Sequence, residues 1–165
     1  MQFDSRDYYR ASHERIRQAW GLYNCVDSEK VNPHPLALYT AGVAVECMLR
    51  AFITRRSREF DSRRDLRDLF LPSGILDIKP DSKAYDQFGD VELEHWKREL
   101  GSSVGYLSRV WNNAYRYTSE SQLRTHLFEL RLTEGIKGDP LKEILRRMLH
   151  ASQSVIDRGT ILWEI

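Results

Sequence analysis

Residues 35–56 constrain the fold most. From Pro35 the chain runs through Leu36, Ala37, Leu38, Tyr39, Ala41, Gly42, Val43, Ala44 and Val45 to Met48, Leu49, Ala51 and Phe52. A helix with apolar residues nearly all round must be buried on most of its faces. Pro35 suits a first helical turn, where a backbone N–H would go unused. One ionisable residue, Glu46, falls in the middle. A carboxylate inside a core is costly unless something pairs with it. The sequence therefore predicts a helix at the centre of a bundle, with a polar contact at Glu46. That contact is read first as structural, a pairing with Arg116 or a tyrosine hydroxyl. The functional alternative has Glu46 orienting Arg109 or Arg116.

The remaining pattern supplies neighbours for that helix. Asp4 or Ser5 can cap a first helix whose apolar stripe is Tyr9, Ile16, Ala19, Trp20 and Tyr23. A short third helix is expected over residues 62–70, started by Ser62 and Asp65 and broken at Pro72-Ser73-Gly74. A long fourth helix is marked by Leu93, Trp96, Leu100, Leu107, Trp111 and Ala114, with Gly101 or Gly105 marking a kink or a close approach. Ser119 or Ser121 can cap a helix through Leu130, although Leu123 to Leu127 partly alternates and leaves a short extended pair open. Asp139 and Pro140 open the last helix, whose stripe is Leu141, Ile144, Leu145, Met148, Ala151, Val155 and Ile156. Gly159 is expected to end it. Ile161, Leu162, Trp163 and Ile165 then form an apolar tail that must dock or become an interface. No repeat or low-complexity linker interrupts the pattern. The expectation is one all-α domain over 1–165, an up-and-down bundle of about five helices.

Composition narrows the function classes. The apolar fraction of 41% can build a core, and a net charge of +1 provides no global field for nucleic acid. The cations are skewed, with 19 Arg and 6 Lys, and Arg favours bidentate contacts to phosphate and carboxylate. Arg55, Arg56, Arg58, Arg63 and Arg64 crowd the end of the second helix and the loop after it. They read as a candidate phosphate-tracking patch or as a solvated face. Cys25 and Cys47 lack metal-site spacing, and the five histidines include no His-x-x-x-His pair. Neither a metal nor a cofactor is expected. Gly-rich phosphate loops and Gly-x-Ser-x-Gly elbows are absent. No apolar run of about 18 residues and no leader is evident in the sequence, and a cytoplasmic protein without a membrane span is expected.

Several segments together resemble the HEPN family of helical bundles. Residues 39–51 are similar to its second helix. Arg64 to Phe70, followed by Ser73-Gly74, is similar to its third helix and break. Val110 to Tyr117, read Val-Trp-Asn-Asn-Ala-Tyr-Arg-Tyr, is similar to the signature ending its long helix. The resemblance covers most of residues 5–158. It implies a HEPN-like bundle paired as a homodimer, and many members are metal-independent ribonucleases. Their motif is Arg, then four to six residues, then His, with a trailing Tyr in some members. Arg can hold a scissile phosphate and His can move a proton near neutral pH. Here Arg109 is followed at that spacing by Tyr115, and Tyr117 matches the trailing Tyr. His126 lies outside the family spacing. A phenol titrating near 10 is a poor general base at neutral pH.

The resemblance therefore implies a non-catalytic or altered HEPN module. It would bind RNA, a nucleotide or a protein partner of the nucleotidyltransferase type, in a defence or toxin–antitoxin setting. One alternative is an active metal-independent endoribonuclease using Arg109 and Arg116 on phosphate, with Tyr115, Tyr117 or His126 moving protons. Another is a structural adaptor for protein interactions.

Overall fold

The computed structural model describes residues 3–25, 33–57, 65–78 and 82–164, the side chains of 82–88 excepted. Six α-helices account for most of the described residues: α1 (Ser5–Asn24), α2 (His34–Ser57), α3 (Leu66–Ser73), α4 (Ser82–Val110), α5 (Glu120–Glu129) and α6 (Pro140–Glu164). Short 3-10 segments cover Ile75–Asp77 and Asn113–Tyr117. The segment 123–127 is helical, and no strand occurs among the described residues.

Helix α2 is the hub. It packs against α1, α6 and α3, and also contacts the 3-10 segment Asn113–Tyr117 and α5. Most of its side chains are buried, from Ala37 and Leu38 to Phe52 and Ile53. Helices α1 and α2 pack together, and both bury small residues, Ser12 and Ala19 on α1 and Ala37, Ala41 and Ala44 on α2. By length and composition α2 could also cross a membrane, which corrects the expectation that no segment is apolar enough. However, 72% of its most apolar window is buried inside the bundle, as a core helix requires.

Polar clamps set the outer helices around this hub. Asp4 caps α1 by accepting from the N–H groups of Arg6 and Asp7, and the Asp7 carboxylate returns a bond to the Asp4 N–H. Trp20 Nε1 donates to Gln153 Oε1 at 3.1 Å, tying α1 to α6. Arg158 on α6 reaches Glu99 on α4 at 2.9 Å and lies over the Trp96 ring. Arg124 on α5 grips both Asp139 oxygens, at 2.7 and 3.0 Å, and also holds Glu120. Asp139 in turn accepts from the Leu141 N–H at the start of α6.

Several boundaries differ from expectation. The third helix begins at Leu66 behind an Asp65 cap, because the Asp65 carboxylate accepts the Arg67 N–H; Ser62 lies outside the described residues. Pro72 is carried inside its last turn, and the left-handed Gly74 ends it. The break in α4 is at Gly89 (φ 70°, ψ 161°), whereas Gly101 and Gly105 lie in regular helix with open space around them. Trp111 and Ala114 fall beyond the α4 terminus. Gly159 does not stop α6, which continues to Glu164. A side chain at 159 would meet Met48 Cγ at 2.8 Å, so this glycine serves the approach of α6 to α2. Ile161, Leu162 and Trp163 of the apolar tail are thus in the last turns of α6, docked on their own chain, and Ile165 lies outside the described residues. Trp163 stacks on Tyr9 with centroids 4.9 Å apart and meets Phe52 edge-on.

Candidate functional site

The segment carrying Arg109, Tyr115, Arg116 and Tyr117 leaves α-helical geometry at Val110. Asn112 is extended, and its side-chain oxygen accepts the Ala114 N–H at 2.8 Å, starting the 3-10 segment. Asparagine favours such local bonds over helix continuation. The motif therefore does not lie on one helical face. Trp111 anchors it: the indole stacks on Tyr39 and Nε1 donates to the Tyr39 carbonyl at 3.1 Å. That contact needs Gly42, since a Cβ there would overlap the indole.

This anchoring points Tyr115 inward. It is 4% exposed, and its hydroxyl has no hydrogen-bond partner among the described residues. Burial pushes the phenol up to about 12. The His126 ring meets Tyr115 edge-on at 5.8 Å, so α5 folds back and closes the ten-residue sequence gap. Arg109 and Arg116 stay exposed, with no ion pair among the described residues. The Arg116 guanidinium lies 4.6 Å from the centre of the Tyr117 ring, and Tyr117 is 78% exposed. Arg109 and Arg147 both act on the half-buried Tyr106 hydroxyl, whose pKa burial nonetheless raises.

Glu46 is placed away from this segment. Its carboxylate accepts from Arg50 Nε at 2.8 Å, one turn along the same helix, and both side chains are largely buried. Neither Arg109 nor Arg116 pairs with it among the described residues, and its charge acts on the Tyr8 hydroxyl of α1. Cys47 beside it is pushed up to about 11, mainly by burial. An unreactive thiol is the consequence.

Of the arginine patch, Arg55 donates to the Trp163 carbonyl at 2.9 Å and lies over the Trp163 ring. Arg56 leans over Gly74 and reaches Asp77 at 4.0 Å. Arg58, Arg63 and Arg64 lie outside the described residues. Both described arginines thus have intramolecular partners near the ends of α6 and α3. Among the described residues no group of three His, Cys, Asp or Glu is placed to hold a metal.

One surface feature went unread in the sequence. A groove runs between α1 and α2, open to solvent, with Tyr39, Val43 and Cys47 along one wall. Its signal was the spacing of Leu36, Tyr39, Val43 and Cys47, which puts them on one stripe of α2. The all-round apolar pattern concealed that this stripe is only half covered.

Compared with known proteins, the chain matches no family model, no curated protein and no solved structure.

Proposed function

We propose that this chain is a HEPN-like module that pairs with itself and binds single-stranded RNA, with the ribonuclease chemistry lost or altered. The observation that carries this reading is the contrast within residues 109–117. Tyr115, where the resemblance expects a histidine, is sealed in the core with its pKa raised to about 12. It cannot exchange a proton with a substrate at neutral pH. The cationic half of the motif stays outside: Arg109 and Arg116 are exposed, and Arg116 is stacked on an exposed Tyr117. A guanidinium beside an open aromatic face suits a phosphate next to a stacked base, a contact worth about 1–3 kcal/mol per base.

A second reading rests on His126. Its ring touches Tyr115, so a histidine does stand beside the motif in space, and an active metal-independent ribonuclease would use it for proton transfer. The two readings part in one experiment. Purified protein is mixed with labelled single-stranded RNA in EDTA, and binding and cleavage are read beside Arg116→Ala, Tyr117→Ala, Tyr115→Phe and His126→Ala. The binding reading expects salt-sensitive association, weakened about tenfold by Arg116→Ala or Tyr117→Ala, untouched by Tyr115→Phe, with no cleavage. Cleavage that disappears in His126→Ala would replace it with the nuclease reading. Absence of any RNA binding would sink both and leave the adaptor.

A further inference from the structure

The groove between α1 and α2 consists of two depressions that meet at Arg15 and Val43. One, of about 630 Å³, lies toward Leu22, Leu36 and Tyr39. The other, of about 690 Å³, lies toward Phe3, Tyr8 and Cys47. At each end an apolar side chain stands half out of the surface, Leu36 at 50% exposure and Phe3 at 52%.

We propose that this face is where a second copy of the chain docks, antiparallel, about a two-fold axis passing near Glu14, Arg15 and Val43. The inference rests on the reading above only for the pairing of two copies; the surface is argued from its own geometry. Such an axis lays each end of the groove on the opposite end of the second copy. Leu36 then enters the hollow of Phe3, Tyr8 and Cys47, and Phe3 enters the hollow of Leu22 and Tyr39, twice over. An isologous contact demands that kind of self-matching.

The charges agree. The groove is lined by Asp7 and Glu14 against Arg10 and Arg15, two of each sign, so the face neither repels its own copy nor selects a strongly charged partner. Glu14 has no ion pair among the described residues, and Arg15 donates only to Gln18, at 2.7 Å. Adjacent and opposite in sign, they fall on either side of the axis. Glu14 of one copy meets Arg15 of the other, and the reverse. The size is adequate. The 20 residues of α1 span roughly 30 Å, and two helices side by side are roughly 20 Å wide. The footprint is roughly 600 Å² per copy, or roughly 1,200 Å² in all, at the lower bound of specific interfaces.

The test is the mass of the full chain by light scattering across a broad concentration range. The wild type is expected at twice its 19.4 kDa chain mass, and Val43→Arg at the single-chain mass with unchanged helical circular dichroism. Glu14→Arg and Arg15→Glu, each alone, should weaken pairing about tenfold or more, because like charges then face each other twice. The double variant Glu14→Arg/Arg15→Glu should regain wild-type pairing, which a general loss of fold would not allow. A wild type that stays single at every concentration overturns the proposal. So does a dimer that Val43→Arg leaves intact, or a double variant no better than either single one. RNA binding is read on the same samples. Pairing without RNA binding supports the interface and strikes only the RNA half of the functional reading, whereas a single-chain wild type that binds RNA overturns the interface and the self-pairing half of that reading and leaves its RNA half standing.

Discussion

Replacing Gly42 by alanine should destabilise the protein, although a helix interior ordinarily gains about 1 kcal/mol from that change. The added methyl would land on the Trp111 indole. Relieving the overlap means moving the ring, which costs about 1–3 kcal/mol in a packed site. It also breaks the 3.1 Å bond from Trp111 Nε1 to the Tyr39 carbonyl, worth about 1 kcal/mol. Propensity offsets the lost bond, leaving a net loss of about 1–3 kcal/mol. In a chain of this size each kcal/mol lowers Tm by about 2–4 °C. The internal control is Gly101→Ala, where the new methyl meets nothing within 4 Å and should raise stability by up to about 1 kcal/mol. Urea unfolding followed by circular dichroism reads both variants, and tryptophan fluorescence reports on the displaced indole. If Gly42→Ala proves as stable as Gly101→Ala, the packing of residues 109–117 against α2 has been misread, and with it the burial of Tyr115.

Three further outcomes are expected. The Arg124 guanidinium holds the Asp139 carboxyl down at about 2, against an ordinary value of 3.8; stabilisation from a lowered pKa is present above about pH 4 and lost toward pH 2. The gap in urea midpoint between wild type and Asp139→Asn should therefore close over that range, and a gap independent of pH would exclude the pair as its source. Trp163→Ala removes contacts with Tyr9, Phe52 and Arg55 and should cost about 3 kcal/mol; an unchanged Tm would mean that the end of α6 is not docked. Glu46→Gln removes the charge facing Arg50 at 2.8 Å and should cost about 1–3 kcal/mol, an expectation that an unaltered thermal melt would contradict.

The sequence by itself determined the all-α class, the cap at Asp139 and the central place of α2, and it narrowed the other caps to Asp4 or Ser5 and Ser119 or Ser121, of which Asp4 and Ser119 do the capping. These follow from short-range causes: a side chain bonding a backbone N–H two or three residues away, and apolar spacing at the helical period. Ser119 and Gln122 form the complete capping box at the start of α5, so the segment with the weakest periodicity still declared its start. The sequence misjudged Gly159 and Gly101, because a glycine's role depends on what lies opposite it. Met48 faces one, and open space surrounds the other. It also could not place Glu46, since Arg50 competes as a partner from one turn away on the same helix.

Only the tertiary structure decided the candidate site. Tyr115 and His126 are separated along the chain and meet because α5 folds back, with Arg124 of α5 bonded to Asp139 at the start of α6. The inward turn of Tyr115 follows from Trp111 seating against Gly42, far away in sequence. The half-covered stripe of α2 was invisible for a related reason. Periodicity tells which residues share a face, whereas the elements packed around that face decide whether it is covered.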